Sequence, residues 1–303
     1  MTAAPDVDWE RTVFTLIPPD ALTRGLGGQV LDRFIGAGFT PVASAVVWKR
    51  PQNLDEYNAR NITEVWKAYL YRMVDLLFAY GPTVALLMRD DQPPEELTSH
   101  QRMRQLKGAS SPSDALPGTI RGDLRAINVT CDLVHASDTP AESQHEAVSF
   151  ADELGWSGLA GDRARDLIGL TMAGYPREER GFDQVLACVR ARVAGAVWAD
   201  LTPPGQELAL SWQGGQVAEI AAPGAGADLA ALLRDPGNHP LAPLLRCEFQ
   251  PDSPRVDLAG LGHVLRGFGG HLDRWEELVL TSSMWFRPLR TEVPDSCAVS
   301  VRV

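Results

Sequence analysis

A histidine stands between an apolar run and a Ser-Asp pair in "DLVHASD", Asp132 to Asp138. Upstream, "PGTIRGD" places Arg121 just after a Pro-Gly turn, and "QRMRQLKG" places Arg104 on a helical stretch. "SSPS", Ser110 to Ser113, adds hydroxyl groups between them. Arginine forks match phosphate oxygens two at a time, and hydroxyl and backbone donors complete such a site. The histidine falls at a strand end beside a helix N-terminus, where an anion is favoured. An imidazole there can serve as acid, base or phosphate acceptor. The competing reading of the same residues is a structural histidine with solvated or salt-bridged arginines.

These side chains need a scaffold, and the first half of the chain supplies its pattern. "RTVFTLIP" (Arg11 to Pro18) reads as a short strand ended by the Pro-Pro pair at Pro18 and Pro19. Asp20 is a candidate N-cap for the helical stretch that follows, in which Leu26, Val30, Leu31 and Phe34 recur at helical spacing. "TPVASAVVWKR" and "TVALLMR" read as the second and third strands, separated by a helix in "NITEVWKAYLYRMVDLLFAYG". "PPEELTSHQRMRQLKG" reads as a capped helix. "DLRAINVTCDLVHASD" returns as a strand ending near His135. "TPAESQHEAVSFADEL" is a helix with Thr139 as N-cap and Glu142 placed to close a capping box. The order β-α-β-α-β-α-loop-β-α suits a four-stranded sheet with helices packed on one face.

The second half differs in texture. "ELALSWQGGQVAEIAAPG" alternates about Gly214-Gly215 and suggests a hairpin, while "ADLAALLRD" and "DRWEELVLTSSMWF" suggest helices. The expectation is two domains, 1–160 and 161–303, the second a smaller α+β unit of no assigned function. With 45% hydrophobic and 22% charged residues in 303, the composition is that of an ordinary globular chain. The net charge of -11 argues against general nucleic-acid binding, though not against a local basic pocket for a phosphorylated small molecule. No apolar run approaches the roughly 18 residues of a membrane helix, and no leader pattern opens the chain, so no membrane partner is expected. Four dispersed cysteines (Cys131, Cys188, Cys247, Cys297) form no CxxC pair. A zinc site and a disulfide framework are not expected, and the cytoplasm is the expected compartment. His263 and His271 have no ligand partners at usual spacing.

Three stretches, "ERTVFTLIPPDALTRGLGGQVLDRFIGAGF", "GASSPSDALPGTIRGDL" and "DLVHASDTPAESQHEAVSF", resemble the nucleoside diphosphate kinase family over about residues 9–150, in the family's order. "PGTIRGD" followed 14 residues after its arginine by "HASD" is the most specific part. The resemblance implies a ferredoxin-like α+β fold with a four-stranded antiparallel sheet. It implies a kinase that moves a phosphoryl group from a nucleoside triphosphate to a nucleoside diphosphate through a phosphohistidine, with Mg²⁺ on the bound nucleotide. His135 matches the phosphate acceptor. Glu146, eleven residues on, matches the glutamate that orients the imidazole, and Ser137 matches the serine of the histidine motif. Arg104 and Arg121 match phosphate-binding arginines, and Ser110 a phosphate-contacting threonine. Leu70 and Val74 fall where the family has a base-stacking phenylalanine and its apolar partner. The family is oligomeric, usually a tetramer or hexamer. An appended domain can block one such interface, so a homo-oligomer as small as a dimer is expected.

The departures concentrate at the ribose and phosphate end of the implied pocket. Pro18 replaces a lysine and cannot offer a charge or a side-chain donor. Asp132 replaces an asparagine, and a carboxylate there repels a polyphosphate unless it is protonated or paired. Ala136 replaces a glycine, and Tyr57 is an uncertain match, at irregular spacing, for a family tyrosine. The pattern implies an altered nucleotide-type site. The alternative is a protein that binds nucleotide or assembles, keeping the kinase fold without efficient turnover.

Overall fold

Strand β1 (Thr12–Ile17, TVFTLI) is buried along its whole length. The computed structural model describes residues 7–48, 68–151, 161–250, 252–286 and 288. Tyr57, Cys297 and the first residues of "NITEVWKAYLYRMVDLLFAYG" lie outside these, as does the side chain of Leu70. After β1 come α1 (Pro19–Thr23), α2 (Gly27–Gly36), β2 (Phe39–Val47), α3 (Ala68–Tyr80) and β3 (Thr83–Asp90). Then follow α4 (Ser99–Lys107), α5 (Ile120–Asp123), β4 (His135–Ala136), α6 (Pro140–Ala151) and α7 (Gly161–Ala173). The sheet order is β2-β3-β1-β4 and every pairing is antiparallel. This is the ferredoxin-like arrangement, with β1 and β3 at the centre.

The sheet is covered on both faces, which corrects the one-faced arrangement expected from the element order. Side chains alternate faces along a strand. Val13 and Ile17 enter one core with Val30, Leu31 and Phe34 of α2, Met103 of α4 and Ile168 of α7. Phe14 and Leu16 enter the other with Phe78 of α3 and Phe150 of α6. Unbroken apolar runs such as "TVFTLI" and "TVALLM" are the sequence mark of strands buried on both sides.

Two local expectations change. Asp20 is not the N-cap of α1; Pro18 holds that position and Pro19 opens the helix. Proline's fixed φ and missing N–H suit a first turn, so the Pro-Pro pair starts the helix as well as ending the strand. The Asp20 side chain is fully buried and accepts the Leu133 N–H at 3.0 Å. The fourth strand is also far shorter than "DLRAINVTCDLVHASD". Arg125 (φ 57°) and Leu133 (φ 73°) take left-handed backbone conformations, which no strand can contain. Only His135 and Ala136 pair, with Leu16 and Thr15.

The chain divides into two compact units, Met1–Glu179 and Arg180–Val303. The division falls later than the expected boundary at 160/161, because α7 contributes Ala164 and Ile168 to the sheet's core. Among its described residues the second unit is helical. It contains α8 (Phe182–Ala196), α9 (Pro203–Ser211), α10 (Val217–Ala221), α11 (Ala225–Ala231), α12 (Ala242–Leu245), α13 (Leu258–Gly267) and α14 (Arg274–Ser283). Among those residues helices and one isolated bridge, Leu201 to Leu233, stand where an α+β unit was expected. No hairpin forms about Gly214-Gly215. Neither glycine takes the positive φ that a two-residue hairpin turn uses, and Thr202 with Pro203 and Pro204 starts α9 instead. Arg190, 1% exposed, ties the unit together by donating to Ile220 O, Ala222 O, Cys247 O and Glu248.

Candidate active site

His135 lies in the two-residue strand β4, on the sheet's edge. Its side chain is 38% exposed, enough to meet a ligand. Its Nε2 is 2.8 Å from Glu146 Oε2, and the Ser137 hydroxyl donates to the same oxygen at 2.6 Å. Phe14 meets the ring edge-on, with centroids 6.5 Å apart. Glu146 sits on α6, whose first turn is fixed by Thr139, the expected N-cap, accepting the Glu142 N–H at 3.2 Å. The Glu142 carboxylate does not return to Thr139 but accepts the Asp138 N–H at 2.9 Å. Burial pushes the Glu146 carboxyl up. The His135 charge and bond, the Ser137 bond and the Lys107 charge outweigh that, leaving it below the usual range.

Arg121, on α5, is 4% exposed and reaches five acceptors. Nε donates to Asp132 O at 3.3 Å, and Nη1 to Gly108 O at 2.9 Å and to Ser110 Oγ at 3.2 Å. Nη2 donates to Val134 O at 2.8 Å and to the Asp132 carboxylate. A guanidinium has five N–H groups, so each has a protein partner. Asp132 is thus paired with a cation, the condition under which the sequence allowed a carboxylate here. Burial raises Asp132 above its usual range, against the lowering charges of Arg121, His135 and Lys107.

The turn carrying Arg121 is held by Thr119, whose hydroxyl accepts the Gly122 N–H and donates to Leu116 O. A Cβ on Gly122 would stand 2.4 Å from Leu116 O, closer than any real contact. Gly122→Ala is therefore expected to cost about 1–3 kcal/mol through forced backbone movement. A urea titration measures it; an unchanged midpoint would dissociate this glycine from the turn.

The remaining expected residues divide. Arg104 is exposed on α4, near enough to Asp138 for its charge to lower that carboxyl. Ser110 is exposed and accepts from Arg121. Val74 packs against the core cluster that contains Phe14. Pro18 is buried at the junction of β1 and α1.

Two residues to which the sequence reading gave no role in the site also belong to this region. Lys107, 8% exposed at the end of α4, donates to Ala136 O at 2.7 Å and to Asp138 Oδ1 at 3.0 Å. Asp20 is pushed up to about 7 by burial and by the Asp132 charge, against the pull of Arg24. A charged side chain beside the glycine after an expected helix was the available signal for Lys107. For Asp20 no spacing pointed to Leu133.

The family model for nucleoside diphosphate kinase matches residues 10–154. A nucleoside diphosphate kinase of Archaeoglobus fulgidus is 33% identical over 145 residues, which are 48% of this chain and 88% of that protein. This chain belongs to the nucleoside diphosphate kinase family. Human nucleoside diphosphate kinase 3 is 36% identical over 155 residues, 50% of this chain and 85% of its own. The solved nucleoside diphosphate kinase of Aquifex aeolicus matches 46% of this chain and 93% of its own at 24% identity, with a TM-score of 0.40. The kinase-family match ends within the first unit, so Arg180–Val303 is an extension beyond it.

Proposed function

We propose that this chain is a nucleoside diphosphate kinase-like phosphotransferase with an altered substrate site. It takes a phosphoryl group from a nucleoside triphosphate onto His135 and gives it to a nucleotide or nucleotide-like acceptor. The observation that supports this most is the pairing of His135 with Glu146. An ionised carboxylate only accepts hydrogen bonds, so Nε2 carries the proton and Nδ1 the lone pair. Nδ1 attacks the terminal phosphorus, the bond to the bridging oxygen breaks, and its electron pair leaves with the nucleoside diphosphate. Glu146 balances the imidazolium that forms, and Ser137 steadies Glu146. In the second half-reaction an acceptor oxygen attacks the phosphorus and the P–N electron pair returns to Nδ1. Arg104 and Ser110 are exposed and are proposed to meet phosphate oxygens, with Val74 toward the base.

Among the described residues no group of three or more His, Cys, Asp or Glu side chains could hold a metal ion. A Mg²⁺ ion would be held by phosphate oxygens and water and would neutralise phosphate charge when nucleotide is bound. Among the described residues no helix is long and apolar enough to cross a membrane. A cytoplasmic homo-oligomer is part of the proposal.

One observation favours a second reading, a weak or inactive nucleotide-binding or assembly protein. All five Arg121 donors have protein acceptors, and Pro18 offers the ligand no charge. Incubation with ATP and Mg²⁺ followed by intact mass separates the two. The expected result is one acid-labile phosphate on the wild type and none on His135→Ala. An equal adduct on His135→Ala removes the proposal. Absence of any adduct, together with nucleotide-dependent thermal stabilisation, establishes the second reading instead.

A further inference from the structure

The carbonyls on either side of His135 are each gripped by a buried cation. Arg121 donates to Val134 O at 2.8 Å, and Lys107 donates to Ala136 O at 2.7 Å. Each cation is matched to a carboxylate flanking the strand, Asp132 before it and Asp138 after it. The strand itself is two residues long, so the sheet fixes His135 through few ladder bonds. The two cations add a side-chain hydrogen bond on each side of it.

The Lys107 grip has a reach that the Arg121 grip lacks. Lys107 bonds the peptide that follows His135, and its charge acts on Glu146, the partner of the imidazole. It also acts on Asp132. Its own ammonium is bound to Asp138 at 3.0 Å, one residue beyond Ser137, the second donor to Glu146. Ala136, Ser137 and Asp138 thus form one short path with a polar contact at each step, leading from Lys107 to Glu146.

We propose that Lys107, held by Asp138, is a positioning residue for His135, fixing the angle at which the imidazole meets Glu146. The assignment rests on the phosphohistidine reading of His135 for its kinetic consequences, but not for its structural ones. Burial lowers Lys107 below the ordinary lysine range, against the raising charge of Asp138. The ammonium therefore releases its proton more readily than an exposed lysine, and the grip loosens on the alkaline side. The charged groups that face it are Asp138 and Asp132 beside β4, Arg121 on α5 and Glu146 on α6; Arg104 and His135 act on Asp138, its partner.

The test compares the wild type with Lys107→Met, Lys107→Arg and Asp138→Asn. Single-turnover phosphate uptake from ATP with Mg²⁺ is measured against pH, nucleotide Kd is measured separately, and nitrogen NMR reads the His135 ring. Lys107→Met is expected to slow uptake by about tenfold or more with Kd within about twofold, since orientation acts on the transition state. Lys107→Arg is expected to recover most of the rate and to abolish the alkaline fall, because a guanidinium keeps its proton. Should Lys107→Met not fold, Asp138→Asn serves; its carboxylate is 52% exposed and a few-fold slowing is expected. In the spectra, wild-type His135 is expected to carry its proton on Nε2, and the Lys107→Met ring to show mixed tautomers. Uptake within twofold of wild type, an equal rise in Kd, or an unchanged ring signal in Lys107→Met overturns the proposal. If the wild type takes no phosphate, the kinase reading fails while the ring signal still decides the role of Lys107.

Discussion

Arg121→Met is expected to destabilise the fold by about 3–5 kcal/mol, the cost of leaving one partner of a buried ion pair alone. The Asp132 side chain is 16% exposed, and burial already raises its carboxyl above the usual range. Without the guanidinium, its charge loses its strongest compensating group. Gly108 O, Asp132 O and Val134 O lose a donor at the same time. Those carbonyls lie after α4, before β4 and next to His135, so the loss spreads over the whole approach to the histidine. Phosphate uptake by His135 should fall with it.

Three further variants separate charge from hydrogen bonding. Arg121→Lys keeps the charge but offers three donors from a single atom, so it should recover only a minor part of the stability. Asp132→Asn leaves Arg121 an acceptor and should cost less than Arg121→Met. In the double variant Arg121→Met with Asp132→Asn no buried charge is stranded, so the two losses should sum to more than the double shows. Urea unfolding at pH 8 measures all four. A loss of under 1 kcal/mol in Arg121→Met, or strict additivity, would contradict the buried-pair account.

Much of the first unit was legible because its signals are local or periodic. Apolar runs marked β1 and β3, and Thr139 with Pro140 marked the start of α6. The pairing of His135 with Glu146, one strand-to-helix step apart, was legible only through the family resemblance. The faces of the sheet were less legible, since element order alone says nothing about which helix crosses to which side. Arg121 and Asp132 were read as ligand-facing groups, and both proved engaged with each other across a loop bent at Leu133. A pairing that depends on a non-glycine residue at φ 73° leaves no mark in residue types. In the second unit, alternation about Gly214-Gly215 imitated a hairpin. The helix start in Thr202-Pro203-Pro204 was the stronger signal, because a threonine cap and a first-turn proline act together.

Asp20→Asn is expected to stabilise the protein at pH 8 by about 4 kcal/mol more than it does near pH 4. The Asp20 carboxyl is fully buried and pushed up to about 7, from an ordinary 3.8. At about 1.4 kcal/mol per pH unit, that difference is the cost of ionising it inside the fold. The folded state holds this proton between those two values while the unfolded chain releases it. Stability therefore falls as pH rises from about 4 to 7, and below 4 both states are protonated and the effect vanishes. An asparagine removes the titration while its amide oxygen can still accept the Leu133 N–H, the bond that holds the backbone before Val134 and His135. The Asp132 carboxyl, also raised by burial, titrates in the same direction and persists in the variant. The comparison between the two proteins at each pH isolates the Asp20 contribution. Urea unfolding of both at pH 4 and pH 8 measures it, and an equal difference at the two values would show that Asp20 is ionised at no cost. The expected gain has a structural meaning for the site. Asp20 and Asp132 repel each other, with Arg24 the cation acting on the first and Arg121 on the second, so a neutral residue 20 relieves the repulsion on the carboxylate that pairs with Arg121. The pair that holds the peptide before His135 is then freed of the competing charge.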